Sequence, residues 1–359
     1  VILPRCVLRR LDAVLEPTRQ AVRDRHALLT AAGLAPENQG PALRTAAGQA
    51  FYNISPFRLA DLTATGNAQQ LAANFEAYLN GFSDNVKEIV ENFKFKNQLG
   101  TLSRVDALGQ LIARFTSPDV DLSPQAVDNH AMGTIFEELV RRFNEENNEE
   151  AGEHWTPRDA VRLMAELTFR PVAEQLLSGT YTVYDGACGT GGMLTVADDT
   201  LQTIAKDRGQ TVVSRLYGQE INPETYAVCK ADMILKGEGD NADNIADRST
   251  LADDAFRAQA FDFMLSNPPY GKSWKRDLDQ LGGRDGITDH RFRVMHRGEE
   301  LSFVTRSSDG QMLFLANLAA KMRHDTPIGS RVAEVHNGSS LFTGDAGSGE
   351  SNIRRWLFE

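Results

Sequence analysis

Tyr181-Thr182-Val183-Tyr184-Asp185-Gly186-Ala187-Cys188-Gly189-Thr190-Gly191-Gly192 decides the fold. Tyr181 to Asp185 reads as a strand, and Met193 to Ala205 reads as a helix. A glycine-rich turn between the two is where a doubly wound sheet binds a nucleotide-like ligand. The helix start offers N–H groups, and glycines let a ligand approach the backbone. The spacing is not the G-x-G-x-x-G of a tight diphosphate turn. No Gly-Lys-Ser/Thr follows, so it is not a Walker A loop either.

Two strand ends downstream narrow the chemistry. Arg215-Leu216-Tyr217-Gly218-Gln219-Glu220 reads as a second strand ending in an acid, which can accept both hydroxyls of a ribose. Phe261-Asp262-Phe263-Met264-Leu265-Ser266 reads as a buried strand, and Asn267-Pro268-Pro269-Tyr270 follows it. The Asn267 side-chain oxygen and the Pro268 carbonyl can both accept hydrogen bonds from a planar amine. The prolines fix the backbone and remove competing N–H donors. Tyr270 offers a flat face to an extruded base. Each motif alone competes with a plain strand-end turn; together, at the ends of strands one, two and four, they are far more specific. Cys188 lies on the first loop and reads as a small packing residue rather than a nucleophile.

With these motifs in place, the chain resembles the modification (M) subunit of type I restriction-modification systems. That family comprises S-adenosylmethionine-dependent N6-adenine DNA methyltransferases of the gamma arrangement. The matching stretches are Glu153 to Arg158, Asp185 to Gly192, Gly218 to Pro223 and Ser266 to Gly271. Asp309-Gly310-Gln311-Met312 and Asn337 to Gly344 match as well, so the likeness runs over nearly the whole chain. The family usually has Pro where Gly186 stands and Tyr or Phe where Trp155 stands; Gly186 makes the turn less rigid.

The resemblance implies that Asn267, Pro268, Pro269 and Tyr270 are catalytic. It implies that Glu153, His154, Trp155, Thr156, Pro157 and Arg158 border the methionine end of S-adenosylmethionine. Asp185, Gly189, Thr190, Gly191, Gly192 and Glu220 would complete the cofactor site. Ser249 stands where the family has Asp or Asn after the third strand, with Asp247 two residues early. The implied substrate is double-stranded DNA with an adenine flipped out. The implied partners are a specificity subunit, a second M subunit and, in the full complex, a restriction subunit.

Composition fits without deciding. The chain has 359 residues, 41% of them hydrophobic, enough for two domains and a large core. Cys6, Cys188 and Cys229 form no C-x-x-C pair, which fits a reduced cytoplasm and argues against a disulfide framework or a zinc site. No metal is expected, and neither a signal peptide nor a membrane-spanning run is evident. Net charge is −11, whereas a chain gripping DNA alone is usually basic. Either no nucleic acid is bound, or a more basic partner delivers it. Between Gly271 and Arg306, Lys272, Lys275, Arg276, Arg284, Arg291, Arg293, Arg297 and Arg306 outnumber the acids. This segment reads as a mobile active-site loop, either solvated or facing phosphates.

The expected architecture is a doubly wound, Rossmann-like α/β sheet preceded by an all-helical domain. Helical spacing covers Val7 to Leu15, Ala68 to Leu79, Asp84 to Phe95 and Met132 to Phe143. The helical domain is expected over 1–148, contacting DNA or a partner, and the catalytic domain over 149–359. The charged stretch Asn144 to Glu150 reads as the linker between them. Thr156 reads as an N-cap with Pro157 in the first helical turn. Strands are expected near 181–185, 215–220, 243–246, 261–266 and 331–336, with a helix from Gln311 to Arg323. Val1 in place of an initiator Met, and an uncapped helix at Trp356 to Glu359, suggest a catalytic domain truncated at its C-terminus.

Three readings compete. A protein glutamine methyltransferase uses the same tetrapeptide on a planar side-chain amide, but lacks the Thr-Pro-Arg segment and the helical domain. Methylation of cytosine's amine more often has Ser in place of Asn. A non-catalytic subunit that binds cofactor and holds a complex together is the third.

Overall fold

The computed structural model describes residues 2–64, 67–95, 97, 99, 102, 107–146 and 156–359, without the side chains of 143–146. Its helices are α1 (Ile2–Leu15), α2 (Arg19–Ala31), α3 (Gly40–Ala47), α4 (Ala68–Asn80), α5 (Asp84–Asn92), α6 (Ala107–Phe115) and α7 (Asn129–Glu146). There follow α8 (Arg158–Phe169), α9 (Gly192–Asp207), α10 (Pro223–Leu235), α11 (Lys275–Gln280), α12 (Gln311–Ala320) and α13 (Gly349–Phe358). Glu153, His154 and Trp155, with most of the expected linker, lie outside the described residues. No helix among the described residues is long and apolar enough to cross a membrane.

Two compact units emerge: Val1–Phe143 with Pro223–Asp243, and Asn144–Asn222 with Asn244–Glu359. In the first, α1 buries Leu3, Val7, Leu8, Leu11 and Val14. It also buries Arg10 completely, whose guanidinium donates to Leu122 O, Val127 O and Asn129 Oδ1, each at 2.7 Å. Buried Asp12 accepts from the Tyr78 hydroxyl at 2.8 Å and from Arg19 at 3.4 Å. Asn67 caps α4 by accepting from Gln70 N at 2.8 Å. Pro223–Asp243 joins this unit because α10 packs on α5: Lys230 Nζ donates to Glu88 at 2.7 Å, and the Tyr226 hydroxyl donates to the same carboxylate.

The second unit is built on strands β1 (Gly179–Asp185), β2 (Val212–Glu220), β3 (Ile245–Asp247), β4 (Phe263–Ser266) and β7 (Arg331–Glu334). They form one parallel sheet in the order β3-β2-β1-β4-β7. The chain winds outward from β1 to β3, then returns to lay β4 on the other side of β1. That reversal opens a crevice at the carboxyl ends of β1 and β4. The strands bury on both faces, as parallel strands do: Val183, Tyr184, Leu216, Phe263, Met264 and Leu265 are all enclosed. Tyr184 stacks on Phe261 with ring centroids 4.6 Å apart.

Some boundaries shift. The last strand ends at Glu334, and the helix begun at Gln311 ends at Ala320. The larger difference is the segment after the tetrapeptide. It is no bare loop: it holds α11 and an antiparallel hairpin of β5 (Arg293–His296) and β6 (Glu299–Ser302). Trp274, Leu278, Ile287, Phe292, Leu301 and Phe303 bury together and fold it against Leu313 and Ile353. Hydrophobic burial outweighs the high charge of the intervening residues.

Candidate active site at the switch point

The glycine loop leaves β1 at Asp185 and enters α9 at Gly192. Gly189 and Gly191 take φ of +55° and +82°, a region an L side chain resists. Thr190 and Gly192 flank Gly191 in the same turn and are half-buried. The loop also needs Gly218 on β2, where an added Cβ would lie 2.8 Å from Cys188 Sγ. Cys188 is buried and packs there.

Carboxylates sit at the ends of three strands. Asp185 accepts from the Ser266 hydroxyl at 2.7 Å and from Ala187 N at 3.0 Å. Glu220 accepts from Gly189 N at 3.0 Å and from Asn222 N at 2.7 Å, so it ties the glycine loop to the end of β2. Burial pushes the carboxyls of Asp185 and Glu220 each up to about 7, against the opposing pull of those hydrogen bonds. Glu334, at the end of β7 and in register with Ser266, is raised to about 7 by the same cause. Among the described residues its Oε1 is buried without a partner.

Asn267 follows Ser266. Its Nδ2 donates to the Thr156 hydroxyl at 2.8 Å, while its Oδ1 is buried with no partner among the described residues. Pro268 is buried; Pro269 and Tyr270 are half-buried. Gly271, at φ +71°, closes the turn. Thr156 is not the N-cap expected of it: Pro157 holds that position and Arg158 opens α8. The hydroxyl receives the Asn267 amide instead of serving the helix.

Ser249 is held by its neighbours in the chain and by α11. Its hydroxyl accepts from Leu251 N and Ala252 N, both at 3.2 Å, and donates to Asp277 Oδ1 at 2.5 Å. Asp277 on α11 thus meets the Ser249 hydroxyl, a connection no spacing rule reveals. The structure links Asp185 through Ser266 to the tetrapeptide and Thr156, and Gly189 to Glu220.

The basic stretch divides in two. Arg291 is buried and donates to Thr250 O at 2.7 Å, Leu251 O at 3.0 Å, Asn317 Oδ1 at 2.9 Å and Asp289 at 2.7 Å, so it faces no solvent. Arg293 pairs with Glu300 and Arg297 with Glu359. Lys272, Lys275 and Arg276 are exposed just beyond the turn.

Fold and site define a doubly wound α/β protein with a glycine loop, a strand-end acid and an Asn-Pro-Pro-Tyr turn gathered at one switch point. Residues 127–359 match the N-6 DNA Methylase family, and residues 1–115 match the HsdM N-terminal domain. The chain belongs to the N-6 DNA methylase family.

Among curated relatives, it is 28% identical to the type I restriction enzyme MpnII methylase subunit of Mycoplasma pneumoniae, over 48% of this chain and 32% of that one. It is 22% identical to the type I restriction enzyme EcoKI methylase subunit of Escherichia coli K12, over 87% of this chain and 54% of that one. The chain therefore spans 32% to 54% of the length of these two relatives. A crystal structure of a type I restriction-modification system methyltransferase subunit from Streptococcus thermophilus shares the fold. It aligns over 99% of this chain and 72% of that chain, with a TM-score of 0.63 and 21% identity.

Proposed function

We propose that the protein transfers a methyl group from S-adenosylmethionine to the N6 amine of an adenine flipped out of double-stranded DNA, as the modification subunit of a type I restriction-modification complex. A specificity subunit, a second modification subunit and, for cleavage, a restriction subunit are its partners in this reading. The observation that carries it is the buried Oδ1 of Asn267, which has no partner among the described residues. A buried acceptor without a donor costs about 1–3 kcal/mol, and an incoming amine removes that cost.

The residues present fit the cofactor. Gly189, where an added Cβ would meet nothing within 4 Å, leaves the backbone open, and Glu220 keeps lone pairs for ribose hydroxyls beyond its amide donors. Asp185, buried and hydrogen-bonded to a hydroxyl and an amide rather than to a cation, suits the ammonium of a methionyl group. Once bound, S-adenosylmethionine supplies an activated methyl on a sulfonium. Adenine's amine is a poor nucleophile because its lone pair is delocalised into the ring. Asn267 Oδ1 and the Pro268 carbonyl accept its two hydrogens, draw the nitrogen toward a tetrahedral shape and stabilise positive charge as it develops. Thr156 holds the Asn267 amide so that the oxygen, not the nitrogen, meets the amine. Tyr270 stacks on the base, worth roughly 1–3 kcal/mol. Lys272, Lys275 and Arg276 lie where phosphates around the flipped base would pass.

The deciding experiment maps modified bases by long-read sequencing. The gene is expressed with its specificity partner in a methylation-free bacterium, beside an Asn267→Ala control. Methylated adenine at a split sequence, absent in the control, supports the reading. Unmodified DNA from a soluble, cofactor-binding complex refutes it in favour of a protein substrate or an inactive scaffold.

A further inference from the structure

The loops that follow β4 and β7 are joined by a chain of side chains with no part in the mechanism above. The amide of Gly271, directly after Tyr270, donates to Asp309 Oδ1 at 3.1 Å. Asp309 Oδ2 accepts from Gln311 Nε2 at 2.8 Å. That orients the Gln311 amide, whose Oε1 accepts from Asn337 N at 3.0 Å and meets His336 Nδ1 at 3.3 Å. Facing an acceptor, Nδ1 carries a hydrogen. The other ring nitrogen, Nε2, lies 3.1 Å from Glu334 Oε2, on a side chain 2% exposed.

A neutral imidazole has one hydrogen and two acceptors to serve here. Both hydrogen bonds hold only if the pair carries one further proton, on Nε2 or on the carboxyl. Without it, Nε2 and the carboxylate confront each other, or the hydrogen moves to Nε2 and the bond to Gln311 breaks. The surroundings favour keeping the proton. Glu334 Oε1 has no partner among the described residues, and Asp185 on β1 raises the cost of a second charge. On α8, which packs on β7, Asp159 and Arg162 are exposed, Glu166 pairs with Arg170, and Arg158 opens the helix. Beyond Gln311, Arg306 is paired with Asp309 at 3.3 Å.

We propose that Glu334 and His336 are positioning residues for the methyl-transfer turn. While they share one proton, they hold Gln311 and Asp309, and through these the Gly271 amide that closes Asn267 to Tyr270. The inference rests on the function proposed above for the turn itself. It assigns no contact with DNA or cofactor to either residue.

The test uses the full-length protein with its specificity partner. Single-turnover methylation is followed from pH 6 to 9.5 for wild type, Glu334→Gln and Gln311→Ala. Hydrogen-exchange protection of the Gly271 peptide and affinity for S-adenosylhomocysteine are measured on the same samples. In wild type, the rate and the Gly271 protection fall together, by about tenfold, as pH rises and one hydrogen bond of the chain breaks. Glu334→Gln supplies an N–H to Nε2 at every pH, so its alkaline limb disappears. Gln311→Ala is about tenfold slower at all pH values, with S-adenosylhomocysteine affinity unchanged.

A flat wild-type profile, a limb that persists in Glu334→Gln, or unchanged Gly271 protection in Gln311→Ala overturns the proposal. If the wild type methylates nothing, the functional reading fails, and the exchange data still decide whether the clamp exists. If Glu334→Gln does not fold, wild type and Gln311→Ala decide by the same exchange measurement.

Discussion

Asn267 donates its amide to the hydroxyl of Thr156 across a sequence separation of 111 residues, at 2.8 Å. The bond fixes the orientation of the amide and leaves Oδ1 as its unengaged end among the described residues. Thr156→Val removes the hydroxyl at nearly constant volume and lets the amide turn. Loss of one such bond is worth about 1 kcal/mol, so methylation slows roughly five- to tenfold. Asn267→Ala removes the acceptor itself and lowers the rate by about a hundredfold or more. Single-turnover kinetics distinguish these; an unaltered Thr156→Val rate means that the threonine does not orient the amide.

Two glycines fail for different reasons. At Gly189 an added Cβ meets nothing within 4 Å, and φ is +55°. Gly189→Ala therefore carries only the left-handed backbone cost, about 1–2 kcal/mol. At Gly218 the obstacle is Cys188 Sγ, 2.8 Å from the new atom. Gly218→Ala displaces the floor of the loop, and Cys188→Ala in the same chain restores part of the loss. Thermal unfolding and S-adenosylhomocysteine titration of the three variants check this; no recovery in the double variant removes the crowding explanation.

Asp185, Glu220 and Glu334 have carboxyls raised by burial to about 7, from ordinary values of 3.8 or 4.5. A raised acid favours the fold most when protonated. Its contribution is complete below the unfolded pKa and is lost as pH rises through the folded one. The ligand-free protein thus becomes less stable between about pH 4 and about 7, by an amount on the order of a few kcal/mol. Glu220→Gln flattens that slope. Melting curves across this window test the claim, which a slope unchanged by Glu220→Gln would contradict.

Arg291 illustrates how a basic residue next to an active site can be wholly structural. It lies 3.5 Å from buried Asp254 as well as donating to Asp289. Arg291→Met leaves Asp289 without its buried partner and Asp254 with Lys321, at 2.7 Å, as its only cation among the described residues, and costs about 3–5 kcal/mol. Lys275→Ala with Arg276→Ala leaves the melting temperature alone and lowers the salt dependence of DNA binding, by about one unit of slope for each phosphate no longer neutralised. Salt titrations and melts on both variants separate the roles; an unchanged salt slope in the lysine–arginine pair removes them from the DNA path.

The parts of this molecule legible in the sequence are those governed by local pattern. Tyr181 to Gly192 and Phe261 to Tyr270 each carry an apolar strand and a distinctive turn within about a dozen residues, and both stand at the switch point. What escaped depends on distant partners. Trp274, Phe292 and Phe303 have no regular spacing, so the hairpin between β5 and β6 looks like a charged loop in the sequence. Thr156 has every local mark of a cap, yet a residue far along the chain claims its hydroxyl. Ser249 meets its acid from a later helix, and nothing near α10 hints that it packs with α5. Glu334 is hidden in a short strand whose other members are unremarkable in character.

The buried guanidinium of Arg10 has a consequence for the order of events during synthesis. It leaves the ribosome in the first helix, but its acceptors at Leu122, Val127 and Asn129 are made much later. The same unit also waits for Lys230 to reach Glu88. Meanwhile β1 and β2 have already emerged, while β4, the other neighbour of β1, has not. Neither unit can finish before the other has begun, so vectorial, one-after-the-other folding of the nascent chain is closed to this protein.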